Sequence, residues 1–347
     1  MNLVYDDIIF SLQKGGGVSV VWSELLKRAP RNAKHIVYDN ADQNQFYDES
    51  KEYNPTVLSS KGLVFKRYEN IRLKTTHPFL FHSSYYRFCT NPNAINVTTV
   101  HDFTYEYYRH DLVSNLHKTQ KKRAVMHSKG VICISENTKN DLLKFYPDYK
   151  GKIKVVYNAY DEKSYFQEDG LKPSNNILFV GGRADYKRFD LAIEIVAMMP
   201  ECRLVIAGGG DLSNEERDLL NKEIPGRYDF KGRVSNEELR KLYGTSLCTC
   251  YMSDYEGFGL PIIEAQACGC PVVCQKNSSL TEVGADTVIY FDKNDIPGSI
   301  DKIKNLYDTN YFAGLQKKGF RNCKRFSWDK SAAAVFDFYR ELYTADS

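Results

Sequence analysis

The sequence predicts an α/β protein of two doubly wound parallel sheets facing a central cleft. Three observations predict it. Short apolar strands alternate with amphipathic helices through most of the chain, which is the pattern of βα units. The length, 347 residues, is roughly twice that of a typical domain. The alternation breaks once, in the polar stretch AYDEKSYFQEDGLKPSNN after Asn158, and begins again at Ile177. An N-terminal domain is therefore expected over 1–165 and a second over 166–325. A C-terminal helix over 326–347 is expected to cross back to the first.

In the first domain, strands are expected at Lys34–Tyr38, Ile95–Val100, Val131–Ile134 and Lys154–Val156, with helices at Val18–Arg28 and Lys139–Phe145. The first helix sets Val18, Val21, Trp22, Leu25 and Leu26 at i, i+3, i+4, i+7 and i+8, a single apolar stripe. The second domain reads as strand NILFV, a helix over Asp190–Met198, strand RLVIA, a Gly208-Gly209-Gly210 turn and a helix, then strand YDFKG. Helix Asn236–Tyr243, strand LCTCY, helix Pro261–Cys268 and strand PVVC follow. Pro261 suits a first helical turn, where its missing N–H would be an orphan anyway, and Gly269 suits the position just past the end. The final helix, Trp328–Tyr343, follows Ser327 as its N-cap.

Composition narrows the function classes. No apolar run is long enough to cross a bilayer, and MNLVYDDIIF has neither a basic n-region nor a cleavable apolar segment, so residence in the cytosol is expected. Nine cysteines, an odd number without a Cys-x-x-Cys pair, argue for buried reduced thiols rather than zinc. The net charge of +3 is unevenly spread: residues 1–165 carry 24 Lys/Arg against 17 Asp/Glu, and the remainder 23 against 27. The stretch Lys118–Lys129 holds five of those cations and suits either a solvated helix face or a membrane or phosphate patch. No nucleic-acid module or extended basic stripe is present, so nucleic acid is not an expected partner.

Two stretches carry chemistry. In DYEGFGLPIIEAQACGCPVV, Asp254–Val273, Glu256 precedes a short helix and Glu264 lies about one turn inside it. Both can face the space above the helix N-terminus. The Gly257-Phe258-Gly259 turn lets the backbone approach a ligand, and free N–H groups with the helix dipole favour a phosphate there. Carboxylates accept from sugar hydroxyls, so the set reads as a nucleotide-sugar site, although a glutamate near a helix start is also stabilised by the dipole alone. In VGGRADYKR, Val180–Arg188, Arg183 and Lys187 follow a strand and are close enough in sequence to converge on one anion; surface ion pairing is the alternative. No Gly-Lys-Ser/Thr follows, so this is not a P-loop.

Together these stretches give residues 177–282 a resemblance to the donor half of glycosyltransferase family 4, retaining enzymes with two Rossmann-like domains in the GT-B fold. The family's Glu-x7-Glu signature is matched by Glu256 and Glu264. The resemblance implies that Arg183 and Lys187 bind the donor diphosphate, Glu264 the ribose and Glu256 the transferred sugar. It implies that backbone groups of Phe258, Gly259 and Leu260 line the sugar and phosphates, and that Val234 lies in the loop holding the base. The N-terminal half is similar more loosely, through Gly15-Gly16-Gly17 before the first helix, VHD at Val100–Asp102 and ISENTKNDL from Ile134. The glycines read as a phosphate or acceptor loop; Val20 stands where a dinucleotide fingerprint wants its last glycine, which disfavours NAD. His101 is implied to be catalytic and to complete the site on closure. Ser135 is either a helix cap or a donor contact.

The implied activity is retaining, metal-independent transfer of a hexosyl unit, with mannosyl as the lead, from a nucleotide-diphosphate sugar. Arg183, Lys187, Glu256 and His101 are the expected catalytic residues. No Asp-x-Asp occurs, so neither metal nor other cofactor is expected, and cationic side chains and helix ends would neutralise the leaving diphosphate. The basic, aromatic-rich N-terminal half, with Tyr85-Tyr86-Arg87-Phe88 and Tyr105–Arg109, suits a lipid-linked glycan acceptor at an anionic membrane surface in bacterial polysaccharide assembly. A GT-B sugar-nucleotide epimerase and a catalytically silent carbohydrate-binding or scaffold protein are the competing readings.

Overall fold

A computed structural model describes residues 1–47 and 55–346. The chain divides into two compact units, Met1–Asn158 with Ser327–Ser347, and Ala159–Phe326. The first holds seven strands: β1 (Leu3–Asp6), β2 (Lys34–Tyr38), β3 (Thr56–Leu58), β4 (Phe79–Ser83), β5 (Ala94–Val100), β6 (Gly130–Cys133) and β7 (Lys152–Val155). Their order is β3-β2-β1-β4-β5-β6-β7, with every pair parallel. The second holds β8 (Asn176–Val180), β9 (Arg203–Ala207), β10 (Tyr228–Gly232), β11 (Cys248–Tyr251), β12 (Val272–Gln275) and β13 (Ile289–Phe291), in the order β10-β9-β8-β11-β12-β13, again all parallel.

Strands covered on both faces are buried along their whole length, as β4, β6, β11 and β12 are at every position. The core of the second unit gathers Ile177, Phe179, Leu204 and Ile206 from its strands against Leu191, Ile195 and Val196 of the Phe189–Ala197 helix. In the first unit the Gly17–Lys27 helix brings Trp22, Leu25 and Leu26 onto Tyr5, Leu80 and Val97. The Trp328–Asp346 helix belongs to this same core through Ala332, Val335, Phe338 and Leu342. It lies so close to the sheet that a Cβ on Gly130 would sit 2.4 Å from Leu342 Cδ1 and 2.8 Å from Phe338. All nine cysteines are buried and unbridged.

Candidate functional site

Doubly wound sheets bind ligands beyond the carboxyl ends of their strands, where the strand order reverses. In the second unit that point lies between β8 and β11, and the loops leaving those two strands are the two stretches singled out by their chemistry. They are tied together: the Asp254 amide donates to the Tyr186 carbonyl at 2.7 Å, and the Arg188 guanidinium stands 3.7 Å from the Asp254 carboxylate. Lys187 Nζ lies 2.5 Å from Glu256 Oε1, with 20% and 13% of the two side chains exposed. Burial and the nearby Glu256 carboxylate push up the Tyr251 hydroxyl at the end of β11.

The turn between the glutamates is held from below by the loop that leaves β12. The Glu256 amide donates to Ser278 Oγ at 3.1 Å, and Ser279 Oγ donates to the carbonyls of Glu256 and Phe258 at 2.9 and 2.8 Å. Phe258 is buried and meets Phe326 edge-on. Gly259 has φ of 109°, a value side chains rarely adopt, and hands over to the Leu260–Ala267 helix. Gly259 gives that helix no side-chain cap, whereas the helices at Asn214 and Asn236 begin with complete Ser213/Glu216 and Ser235/Glu238 capping boxes. A glycine start of this kind leaves first-turn amides to be met by something other than a capping side chain.

Glu264 sits on the second turn of this helix, half-buried. Burial raises its carboxyl to about 7, opposed by the Tyr243 hydroxyl that donates to Oε2 at 3.3 Å. Near neutral pH it is therefore balanced between the acid and the carboxylate. Val234 is half-buried immediately before the Ser235 cap, in the loop that leaves β10.

Arg183 departs from the expectation. It does not reach with Lys187 toward one anion; its Nε lies 2.9 Å from Glu216, and its Nη atoms donate to the carbonyls of Gly208, Gly209, Gly210 and Asp211. Between the two cations the chain is not α-helical: Asp185–Lys187 forms a 3-10 turn and the helix begins only at Phe189. Arg183 instead locks the glycine turn after β9 against the end of β8. A Cβ on Gly209 would come within 2.5 Å of the Gly181 carbonyl, so the glycine is required by that close approach.

In the first unit the order reverses between β1 and β4. Beside that point Val18, Trp22, His82, Ser84, Thr99 and His101 border a small cavity of about 40 Å³. Burial pushes the His101 imidazole down to about 4, with Asp102 opposing and Lys121 assisting, so it is neutral at physiological pH. Its turn is anchored by Lys121, which is fully buried, donates to the Asp102 carbonyl at 2.8 Å and pairs with Glu106 at 2.8 Å. One of the five cations in Lys118–Lys129 thus faces inward. Gly15, Gly16 and Gly17 lead into the Gly17–Lys27 helix, whose start also lacks a side-chain cap. Gln13 and Asn44, both donating to Ser19 Oγ at 2.6 and 2.9 Å, back that turn. Ser135 is assigned to the cap: it is buried, accepts from the Thr138 amide at 3.0 Å and donates to Thr138 Oγ1 at 2.9 Å.

Sequence reasoning missed several residues of these sites. His82 is buried beside His101, with its ring nitrogens on Tyr339 and on Thr99 Oγ1 at 2.9 Å, and burial pushes it down to about 3. Its position at the end of an apolar run, FLFHS, was the available signal. Ser278 and Ser279, in the polar cluster KNSS after β12, carried a similar one. Nothing in the sequence marks Tyr243 as the partner of Glu264.

Comparison with known proteins follows this division. Residues 161–318 match the family model described as glycosyl transferases group 1, and residues 15–164 match that of glycosyltransferase family 4. The chain is 24% identical over 316 residues to O-antigen chain mannosyltransferase B of Escherichia coli, covering 83% of this chain and 81% of that protein. In fold it is similar to sucrose-phosphate synthase from Thermosynechococcus elongatus, with a TM-score of 0.73, 17% identity and coverage of 99% and 100%. HepE from Anabaena, solved in complex with UDP and glucose, gives a TM-score of 0.73 at 14% identity, covering 98% of this chain and 100% of that one.

Proposed function

Because this chain belongs to the GT-B glycosyltransferases of family 4, we propose that it moves a hexosyl unit, mannosyl in the first instance, from a nucleoside-diphosphate sugar to a lipid-linked glycan. The transfer retains anomeric configuration, needs no metal, and takes place at the cytoplasmic face of the membrane in bacterial surface polysaccharide assembly. The observation that carries the donor side is the meeting of Lys187 and Glu256 beside a helix that starts without a side-chain cap, at the strand-order reversal of the second sheet. The likeness to an O-antigen mannosyltransferase supports the sugar and the acceptor class.

In this reading the leaving diphosphate is met by Lys187 and by the amides opening the Leu260–Ala267 helix, which supply the charge a metal would otherwise supply. An anion beside Lys187 draws it from Glu256. That carboxylate is then left to accept from the hydroxyls of the transferred sugar. Its family position, holding the sugar through its hydroxyls, makes it a poorer covalent nucleophile than the acidic pairs of glycosidases, so departure and attack on one face of the sugar is the preferred course. Glu264 accepts from the ribose, the backbone of Phe258, Gly259 and Leu260 lines sugar and phosphate, and the Val234 loop holds the base. Arg183 acts through the Gly208–Asp211 turn rather than on the phosphate. His101 is the catalytic contribution of the N-terminal unit, a neutral imidazole able to hydrogen-bond a hydroxyl, and the Gly15–Gly17 turn serves the acceptor.

Incubation with a panel of nucleotide sugars tests this, followed by chromatography for released nucleoside diphosphate and NMR of the glycosylated product. Slow release from one donor, faster with a glycan acceptor and giving the donor's own anomeric configuration, is expected. An altered nucleotide sugar without transfer would make the chain an epimerase, and binding without any turnover would make it a silent sugar-binding protein.

A further inference from the structure

The Leu112–Met126 helix leaves large apolar side chains in water. Ser114, Gln120 and Lys121 are buried alongside Ala124 and Val125, whereas Leu112, Val113 and Leu116 are 87%, 69% and 47% exposed. The polar side is taken up within the unit: Lys121 pairs with Glu106, and Gln120 Nε2 donates to the Arg67 carbonyl. That last bond fixes a second element alongside. The Leu63–Lys66 turn is held there also by the Tyr85 hydroxyl, which meets both Arg67 and His117, and it leaves Val64 and Phe65 72% and 76% exposed. Two adjacent elements thus present large apolar side chains to water. Single exposed leucines need no explanation, but grouped ones do.

The charge along the helix has one sign. From Leu112 to Lys129 the chain contains no carboxylate, and Lys122, Arg123 and Lys129 are exposed toward the end of that stretch. Asp111, just before it, is occupied as the helix cap, accepting from the Ser114 amide at 2.9 Å. An apolar group bordered by cations matches the boundary between acyl chains and anionic headgroups, where leucine and phenylalanine enter the hydrocarbon edge and cations stay with phosphate. A neutral protein partner would cover the leucines and leave the cations unmatched. No helix among the described residues is long and apolar enough to cross a membrane, so attachment through this face is peripheral.

We propose that the outer face of the Leu112–Met126 helix, with Val64 and Phe65, docks the protein on a bilayer containing anionic lipid. The inference deepens the lipid-linked acceptor reading and rests on it for its purpose.

Co-sedimentation with phosphatidylcholine vesicles, with and without phosphatidylglycerol, tests it on the whole chain. The wild-type protein should bind the anionic vesicles at low salt and weaken as salt rises. Lys122→Ala/Arg123→Ala should bind about 25-fold more weakly, about fivefold per cation, and Leu112→Ser/Leu116→Ser at least about tenfold more weakly. Nucleotide-sugar affinity and melting temperature, measured in parallel, should match wild type in both variants. Loss of vesicle binding with intact donor affinity is therefore a loss of docking, whereas absent donor affinity with intact docking counts only against the donor reading. The proposal is overturned if the wild-type protein ignores anionic vesicles at low salt, if both double variants bind like wild type, or if light scattering shows a dimer that Leu112→Ser/Leu116→Ser dissociates while vesicles stay unbound.

Discussion

Glu264 gives the donor site a pH dependence that can be calculated. Its carboxyl is held at about 7, raised from 4.5 by burial. If the ribose hydroxyls are accepted by the ionised form, binding must first remove a proton below that value, and affinity rises with pH. For one group titrating near 7, the fraction ionised changes about tenfold between about pH 6 and about pH 8, so the dissociation constant should fall about tenfold over that range. The intact nucleotide sugar is the right ligand, because its pyrophosphate diester carries no proton that titrates there. Calorimetry at the two pH values, each in two buffers of different ionisation enthalpy, should show the tenfold change and about half a proton released near pH 7. Glu264→Gln should bind weakly at both and show neither effect. Equal wild-type affinity at the two pH values, or a pH dependence that survives in Glu264→Gln, would refute the role given to this residue. The sign for stability is opposite. A raised carboxyl stabilises the fold fully below its unfolded value of 4.5 and loses that contribution as pH climbs from there to about 7, so Glu264→Gln should flatten the fall in melting temperature over that interval.

Lys187→Ala removes the cation proposed to meet the diphosphate and leaves Glu256 without its ion pair, so donor KM should rise about tenfold or more and kcat should fall; kinetics indistinguishable from wild type would exclude the assignment. Gly259→Ala must adopt φ of 109° with a Cβ 3.1 Å from Leu280 Cδ2. A loss of about 1–3 kcal/mol in urea unfolding is expected, and an unchanged midpoint would mean the turn relaxes freely. His101, at about 4, and His82, at about 3, are neutral when folded and must gain protons on unfolding in acid. Their depressed values make stability fall as pH drops below the ordinary imidazole value of 6.5. His101→Gln should soften that fall, and the wild-type kcat profile should lack an imidazole inflection near 6.5.

Much of the fold was readable because it rests on local pattern. Lys34–Tyr38 is a strand with the expected bounds, and the helix expected at Pro261–Cys268 runs over Leu260–Ala267, since a proline and the following glycine fix its ends chemically. Strands β1, β3, β4 and β13 were not marked. Leu3–Asp6 ends in a carboxylate, and β4 carries His82 and Ser83, polar groups whose burial depends on partners far along the chain such as Asp6 and Tyr339. The Leu112–Met126 helix escaped the apolar-periodicity test for the converse reason: its buried face mixes Ser114, Gln120 and Lys121 with Ala124 and Val125, while Leu112, Val113 and Leu116 face water.

The same limit applies to the candidate site. Glu256, Lys187 and Glu264 were accessible from spacing because a strand end, a glycine turn and a helix start dictate their neighbourhood. The direction taken by Arg183 depends on where the Gly208–Asp211 turn lies in space, and Ser135 depends on which hydroxyl is spent on a cap. Neither is a property of spacing.

The central claim is that the β8 and β11 loops form the donor site. Calorimetric titration of wild type, Lys187→Ala and Glu264→Ala with a set of nucleotide sugars measures it most directly. One donor should bind the wild-type chain and lose most of its affinity in both variants, each still melting cooperatively. Unchanged affinity in both variants would contradict the account.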